Sequence, residues 1–194
     1  VCVLATRPAL CLEVLSKISL KPDQLLISVA AGVSTDDLRT QLRPDTQLVR
    51  AMPVNCAEAG ASPTLIFPHN PVAQTIFDYC GKAIVVSDEA AFEQGSVIAC
   101  VYTWFFELFE CLIQSTRSEA LPTELASELV LGMAIGAASL ASHDKSSSPA
   151  DIAARIATDG TYSKLGLDLL KERGAFQPWQ AACQLLKKKL VEDN

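Results

Sequence analysis

The residues able to do chemistry in this chain are few and scattered. Seven cysteines (Cys2, Cys11, Cys56, Cys80, Cys100, Cys111, Cys183) and two histidines (His69, His143) are the available soft ligands and nucleophiles. No two cysteines stand in C-x-x-C spacing and the histidines lie far apart, so no zinc pattern is present. Most of the cysteines fall in apolar runs, where Cys behaves as a small hydrophobe. They read as reduced thiols, and hence a cytoplasmic protein. Cys56 lies near a strand end and could be a reactive thiol, but no helix start or cation is placed to lower its pKa, which favours an inert one. His69, in Phe67-Pro68-His69-Asn70-Pro71, reads as a solvated turn residue. His143 lies at a helix end, where a cation complements the dipole. Glu107 and Glu110 fall on a strongly apolar helix, so one of them could be paired or carry a perturbed pKa. Neither is assigned as a catalytic acid, and the catalytic residue is left open.

Charge and composition narrow the partners. The 194 residues carry 16 Lys and Arg against 22 Asp and Glu, a net charge of −6, so the basic footprint of a nucleic-acid binder is missing. The one basic run, Lys187-Lys188-Lys189, reads as a complement to a helix C-terminus. Apolar residues make up 49% and charged residues 20%, which excludes a disordered chain and implies that some apolar surface is covered by another chain. The most apolar stretch, Val97–Ile113, contains Glu107 and Glu110 and reads as a buried helix rather than a membrane span.

The elements that must position any site fall into two groups. Val1–Ala5, Leu25–Ala30, Gln47–Met52, Ser62–Phe67 and Lys82–Val86 read as strands. Helices are expected over Pro8–Ile18, from Ser34 to about Leu42, and from Asn70-Pro71 to about Cys80, with Gly81 ending the last. Strands separated by helices of this length imply crossover units and a mostly parallel sheet. From Asp88 onward no strand is expected. Helices are predicted over Glu89–Thr116, with a possible break at Gly95, from Pro122 to about Ser142, and over Pro149–Ala157, Tyr162–Glu172 and Phe176–Val191. The fold class is therefore α/β plus all-α, divided between residues 1–87, strands alternating with helices, and residues 88–194, all helical. The chain opens at Val1, without a methionine, on what reads as a buried strand, so sequence upstream is expected.

The helix around Tyr102–Ile113 is apolar on nearly every face: Tyr102, Trp104, Phe105, Phe106, Leu108, Phe109, Leu112 and Ile113. Such a helix must be covered all round. The next helix carries Gly132-Met133-Ala134-Ile135-Gly136, small residues that permit close approach. A second copy of the chain is the economical cover, which predicts a homodimer through the helical half. Trp104 and Trp179 read as core or interface anchors.

Three stretches resemble the pyrroline-5-carboxylate reductase family in order and spacing. Leu4-Ala5-Thr6-Arg7-Pro8 is similar to its strand-end A-V-K-P motif, Ile27–Ser34 to its S-I-A-A-G-V stretch, and Leu48–Pro53 to its I-R-A-M-P stretch. Lys171–Phe176 resembles the E-x-G-F segment before the last helix. The resemblance implies a cofactor site for NADP or NAD built from Ala5, Thr6, Arg7, Pro8, Ala31, Gly32, Met52, Pro53 and Asn55. In such sheets ligands bind at the carboxyl ends of the strands, and these residues fall there. It also implies that residues 1–87 are the C-terminal part of a Rossmann-like dinucleotide-binding domain and residues 88–194 a helical dimerisation and substrate domain, with a substrate site at Cys100, Val101, Gly160, Thr161 and Ser163 and a small-molecule cyclic imine as substrate.

The departures are equally specific. The family begins with a strand and a G-x-G-x-M-G loop that binds pyrophosphate, and no such loop occurs between Val1 and Asn194. Cofactor binding by this fragment is therefore expected to be weak or absent. Where the family has Asn-Thr-Pro after Met-Pro, Val54-Asn55-Cys56 displaces the amide by one position. Where it has S-G-S-S-P-A-Y, this chain has Val97–Tyr102, apolar residues that cannot bind a carboxylate. Where it has S-P-G-G-T-T, this chain has Thr158–Ser163, which keeps Gly160, Thr161 and Ser163 as anion donors but adds the like charge of Asp159. The expected function is an NAD(P)H-dependent oxidoreductase with altered substrate motifs. The alternatives are a non-catalytic dimeric paralogue serving as an interaction module, and a soluble α/β plus all-α protein of other function.

Overall fold

A computed structural model describes residues 1–192. Five strands, β1 (Cys2–Leu4), β2 (Leu25–Ser28), β3 (Gln47–Met52), β4 (Ser62–Phe67) and β5 (Gly81–Val85), form one sheet in that spatial order. β1, β2 and β3 are parallel, β4 is antiparallel to β3, and β5 is parallel to β4. The one antiparallel pair follows from chain length. Between β3 and β4 lies only Pro53–Ala61, with a 3-10 turn at Asn55–Ala59, too short for a crossover connection. Between the parallel strands lie helices α1 (Cys11–Lys17), α2 (Thr35–Arg39) and α3 (Pro71–Tyr79).

The continuous apolar character of the strands has a direct cause. Alternate residues point to opposite faces, and at the central strands β2 and β3 both faces are covered. Leu4, Leu26 and Leu48 pack with Cys11, Leu15 and Leu38. Leu25, Ile27, Val49 and Ile66 pack with Ala73 and Phe77. α3 starts as expected: Asn70 Oδ1 accepts from the Val72 and Ala73 amides, and Pro71 fills the first turn.

Two glycines behave differently from their sequence reading. Gly81 is the first residue of β5 rather than a helix cap. Its φ is 143°, and an added Cβ would come within 2.3 Å of the Ser62 backbone nitrogen. Gly95 does not break its helix: α4 runs from Glu89 to Thr116. A Cβ there would lie 2.6 Å from Leu65 Cδ1, so glycine allows the helix close to the sheet. At the start of the chain, the expected helix Pro8–Ile18 opens with a 3-10 turn, Pro8–Leu10, before α1.

After α4 come α5 (Thr123–His143), α6 (Pro149–Ile156), α7 (Tyr162–Glu172) and α8 (Gln177–Glu192), with no strand among the described residues. The 87/88 division follows element type. By compactness the chain divides within α4, into one unit of Val1–Tyr102 with the segment from Cys183, and another of Thr103–Ala182. In the second unit, Trp104 packs edge-on against Trp179 at 5.8 Å, and Phe105 lies 6.2 Å from Trp179. Ser148 and Asp151 form a capping box at the start of α6.

The single chain leaves much of this second unit uncovered. Ile113 is buried, yet Phe105, Phe106, Leu108 and Leu112 are exposed. On α5, Met133 is 72% and Ile135 71% exposed. An apolar groove of about 460 Å³ runs between α4 and α5, lined by Leu108, Leu112, Leu129, Val130 and Met133. α4 and α5 are long and apolar enough to cross a membrane by length and composition. All seven cysteines are free.

Candidate functional site

Strand register brings the three expected cofactor segments together. Leu4 pairs with Ser28, and Ser28 with Arg50, so the residues that follow lie side by side at the carboxyl edge of β1, β2 and β3. The Val29 amide donates to the Leu4 carbonyl at 3.1 Å, extending the pairing past the last strand residue. Ala5 and Arg7 are exposed and Thr6 is half-buried, with its Oγ1 3.2 Å from Cys11 Sγ. Pro8 opens the 3-10 turn, and the Leu10 amide closes it onto the Arg7 carbonyl. Ala31 is exposed. Gly32 is half-buried, and a Cβ added to it would meet nothing within 4 Å. Met52 is buried, Pro53 half-buried and Asn55 exposed. The Val54 amide donates to Ser62 Oγ at 3.0 Å, which ties this segment to β4.

One cluster behind this edge was not legible as a site residue by residue. Arg50 is 1% exposed. Its Nη1 lies 2.5 Å from Oε1 of both Glu89 and Glu93 on α4, and its guanidinium carbon sits 4.6 Å above the Phe92 ring. The Glu93 contact is an ion pair outside hydrogen-bond geometry, and Arg50 Nε and Nη2 and both Glu93 oxygens are buried without a hydrogen-bond partner. Glu89 Oε1 also accepts from the Thr35 amide at 2.7 Å. Burial pushes the Glu89 carboxyl up, but Thr35 and the Arg50 guanidinium outweigh it and hold it below the ordinary value. The sequence signal was an arginine inside the apolar run Leu48–Met52, which needs a buried partner.

Cys56 and Tyr102 also meet near this edge. Partial desolvation raises the Tyr102 hydroxyl pKa, and the Cys56 thiol and Glu58 raise it further.

The expected substrate residues fall in two places. Cys100 (exposed) and Val101 (half-buried) lie inside α4, four turns of unbroken helix from its end. Gly160 and Thr161 form the turn before α7, with Thr161 as its N-cap: Oγ1 accepts from the Lys164 amide and donates to the Thr158 carbonyl. Ser163 is exposed in the first turn of α7. The negative charge of Asp159 is not isolated. Lys164, which the sequence reading did not single out, has its pKa raised by Asp168 first and by Asp159 as well. Asp159, Lys164, Lys171 and Phe176 line one groove of about 730 Å³ with Ala153 and Ala157.

Residues 91–192 match the pyrroline-5-carboxylate reductase dimerisation family. The chain belongs to the pyrroline-5-carboxylate reductase family. It is 29% identical over 143 residues to the pyrroline-5-carboxylate reductase of Escherichia coli, covering 67% of this chain and 53% of that protein. It is 29% identical over 187 residues to pyrroline-5-carboxylate reductase 3 of Xenopus laevis, covering 88% and 65%. The chain thus spans about half to two thirds of the length of these relatives. The Plasmodium falciparum pyrroline carboxylate reductase, solved with NADP bound, shares the fold with a TM-score of 0.86 at 21% identity, covering 98% of this chain and 76% of that one. The uncovered α4 and α5 both lie in the dimerisation region of the pyrroline-5-carboxylate reductase family; only the first two residues of α4 fall outside the match.

Proposed function

We propose that this chain serves an NAD(P)H-dependent reductase that acts on a cyclic imine, chemistry of the proline-biosynthetic type, in the cytoplasm. The observation that carries the reading is the level alignment of Ala5–Pro8, Ala30–Gly32 and Met52–Asn55 at one parallel-strand edge. The donor set suits a nicotinamide dinucleotide. The small exposed side chains of Ala5 and Ala31 and the open space around Gly32 leave the edge open to a flat ring. Arg7 is an exposed cation that makes no ion pair among the described residues, beside the place of an anionic group. Thr6, Arg7, Pro8, Ala31, Gly32, Met52, Pro53 and Asn55 would hold the dinucleotide, which supplies the hydride when bound. The protein's part is orientation and exclusion of water. Substrate would be met by Cys100, Val101, Gly160, Thr161 and Ser163, and the uncovered faces of α4 and α5 would close on a second copy of the chain.

A second reading, a dimeric interaction module without catalysis, is favoured by α4. Because α4 is unbroken through residues 97–102, its backbone amides there are spent on helix hydrogen bonds. The Thr161 hydroxyl is likewise engaged in its cap. Calorimetric titration of NADPH into the Val1–Asn194 chain tests the cofactor assignment. Binding weaker than micromolar is expected, since no phosphate loop lies in it, and Arg7→Ala should weaken it further. Micromolar or tighter binding insensitive to Arg7→Ala would place the anchoring site elsewhere.

A further inference from the structure

We infer that Glu89 is a positioning residue for the dinucleotide edge: one carboxylate oxygen fastens both the turn after β2 and the body of β3 to the first turn of α4. The inference rests on the assignment of that edge to a nicotinamide dinucleotide.

The geometry is economical. Glu89 Oε1 receives two donors from two different segments of the edge, the Thr35 amide at 2.7 Å and Arg50 Nη1 at 2.5 Å. Thr35 opens α2, directly after Ala31-Gly32-Val33-Ser34. Arg50 precedes Ala51, Met52 and Pro53 by one to three residues on β3. Apart from this bond, the Ala31–Ser34 turn is held by burial of Val33 in the core with Leu4, Leu26 and Leu38, and by the Ser34 cap, which accepts from the Asp37 amide within α2 itself. The cap fixes the helix start, and the apolar packing, which has no preferred direction, holds it against the sheet. The bond to Glu89 adds a directional long-range tie, fifty-four residues away in sequence.

Three features fit a positioning role better than mere stabilisation. First, Glu89 is half-buried while Arg50 is fully buried, so the carboxylate stands between the interior and the open edge. Second, Arg50 has a second carboxylate, Glu93, at the same distance. The buried guanidinium therefore keeps a counter-charge without Glu89, and charge neutralisation alone does not require Glu89. Third, the Thr35 amide has no such substitute among the described contacts. What Glu89 adds is the link between the turn and the strand. A loosened turn would lower the fraction of molecules whose Gly32 backbone is in place for a ligand, and apparent affinity falls with that fraction.

The contrast between Glu89 and Glu93 makes the test. Glu89→Gln keeps an oxygen for Thr35 and loses charge toward Arg50. Glu89→Ala loses both. Glu93→Gln loses the other counter-charge and touches nothing in the turn. In the full-length protein, amide hydrogen exchange at Thr35 is expected to quicken about tenfold or more in Glu89→Ala, and to stay within about threefold of wild type in Glu89→Gln and Glu93→Gln. The Kd for NADPH should rise about tenfold in Glu89→Ala, recover largely in Glu89→Gln, and remain unchanged in Glu93→Gln even if its Tm falls. Unchanged Thr35 exchange in Glu89→Ala would overturn the tie. Faster exchange with an unchanged Kd would overturn its role at the dinucleotide edge. If wild type itself binds no NADPH, the cofactor assignment fails, and with it this role, a result distinct from wild-type binding that Glu89→Ala leaves intact.

Discussion

Arg50 shows how much one buried charge organises in this protein. It sits in a strand between apolar residues, Leu48 and Val49 before it and Ala51 and Met52 after it, and two carboxylates and an aromatic face converge on it. Removing the cation would leave Glu93 buried and unpaired, which costs about 3 kcal/mol or more; Arg50→Met should therefore lower stability sharply in urea denaturation, while the charge-conserving Arg50→Lys should recover part of it. Gly81 makes a second residue-scale case. Its positive φ and the 2.3 Å approach of Ser62 nitrogen to any added Cβ predict that Gly81→Ala loses at least ~2 kcal/mol. Asn70→Ala should lose about 1 kcal/mol by removing the cap of α3. Asn70 was legible, because a cap acts on its own helix and Asn-Pro before an apolar run states it. Gly81 was not. Its reason for being glycine is the backbone of Ser62, a contact across the sheet that local sequence does not record. The partners of Arg50 were hidden for the same reason: Glu89 and Glu93 are four apart on one helix face, but nothing local says which strand that face meets.

At the scale of elements, the central strands β2 and β3 were legible because both their faces are covered, which makes them near-continuous apolar runs. The antiparallel step from β3 to β4, set by the short connection between them, went unread within an expected mostly parallel sheet, and so did the place of Gly95, which depends on Leu65 of the sheet. The connection from α5 to α6 carries its own prediction. Asp144 accepts from the Ser146 and Ser147 amides and pairs with Arg155. The Arg155 hydrogen bond foremost, then Ser146 and Ser147, hold its carboxyl well below the usual 3.8. A depressed folded-state pKa gives stability that is present above the unfolded value and lost as pH falls through the folded one. Protection of the Ser146 and Ser147 amides from exchange should therefore persist at neutral pH and decline only under acid below about 4, whereas Asp144→Asn should show weaker protection already at neutral pH. The substrate segments predict a further outcome. Asp159→Pro with Cys100→Ser and Val101→Ser should raise turnover of pyrroline-5-carboxylate in the full-length protein. Wild-type turnover equal to that of ordinary family members, with no gain in the triple variant, would remove the argument from altered residues. Lys164 beside Asp159 already softens that argument, and the sequence offered no sign of it because the pairing depends on how the turn delivers α7.

For the molecule as a whole, most of the buried apolar core lies in the sheet and its flanking helices, while α4 and α5 leave Phe106, Met133 and Ile135 exposed. Nearly all of both helices lies in the region that matches the dimerisation family. Light scattering should give a dimer at micromolar concentration, with an interface above the roughly 2,000 Å² of obligate pairs; a stable folded monomer would contradict it. The all-round apolar helix was readable from sequence, but which of its faces the chain itself covers was not. The most direct test of the central claim is NADPH oxidation by the purified full-length dimer with pyrroline-5-carboxylate as substrate. Slow but measurable turnover, lower than that of ordinary family members by about a hundredfold for a loss of roughly 3 kcal/mol, is the expected result. Intact dimers that bind NADPH yet reduce no cyclic imine would contradict the reductase and leave the interaction module in its place.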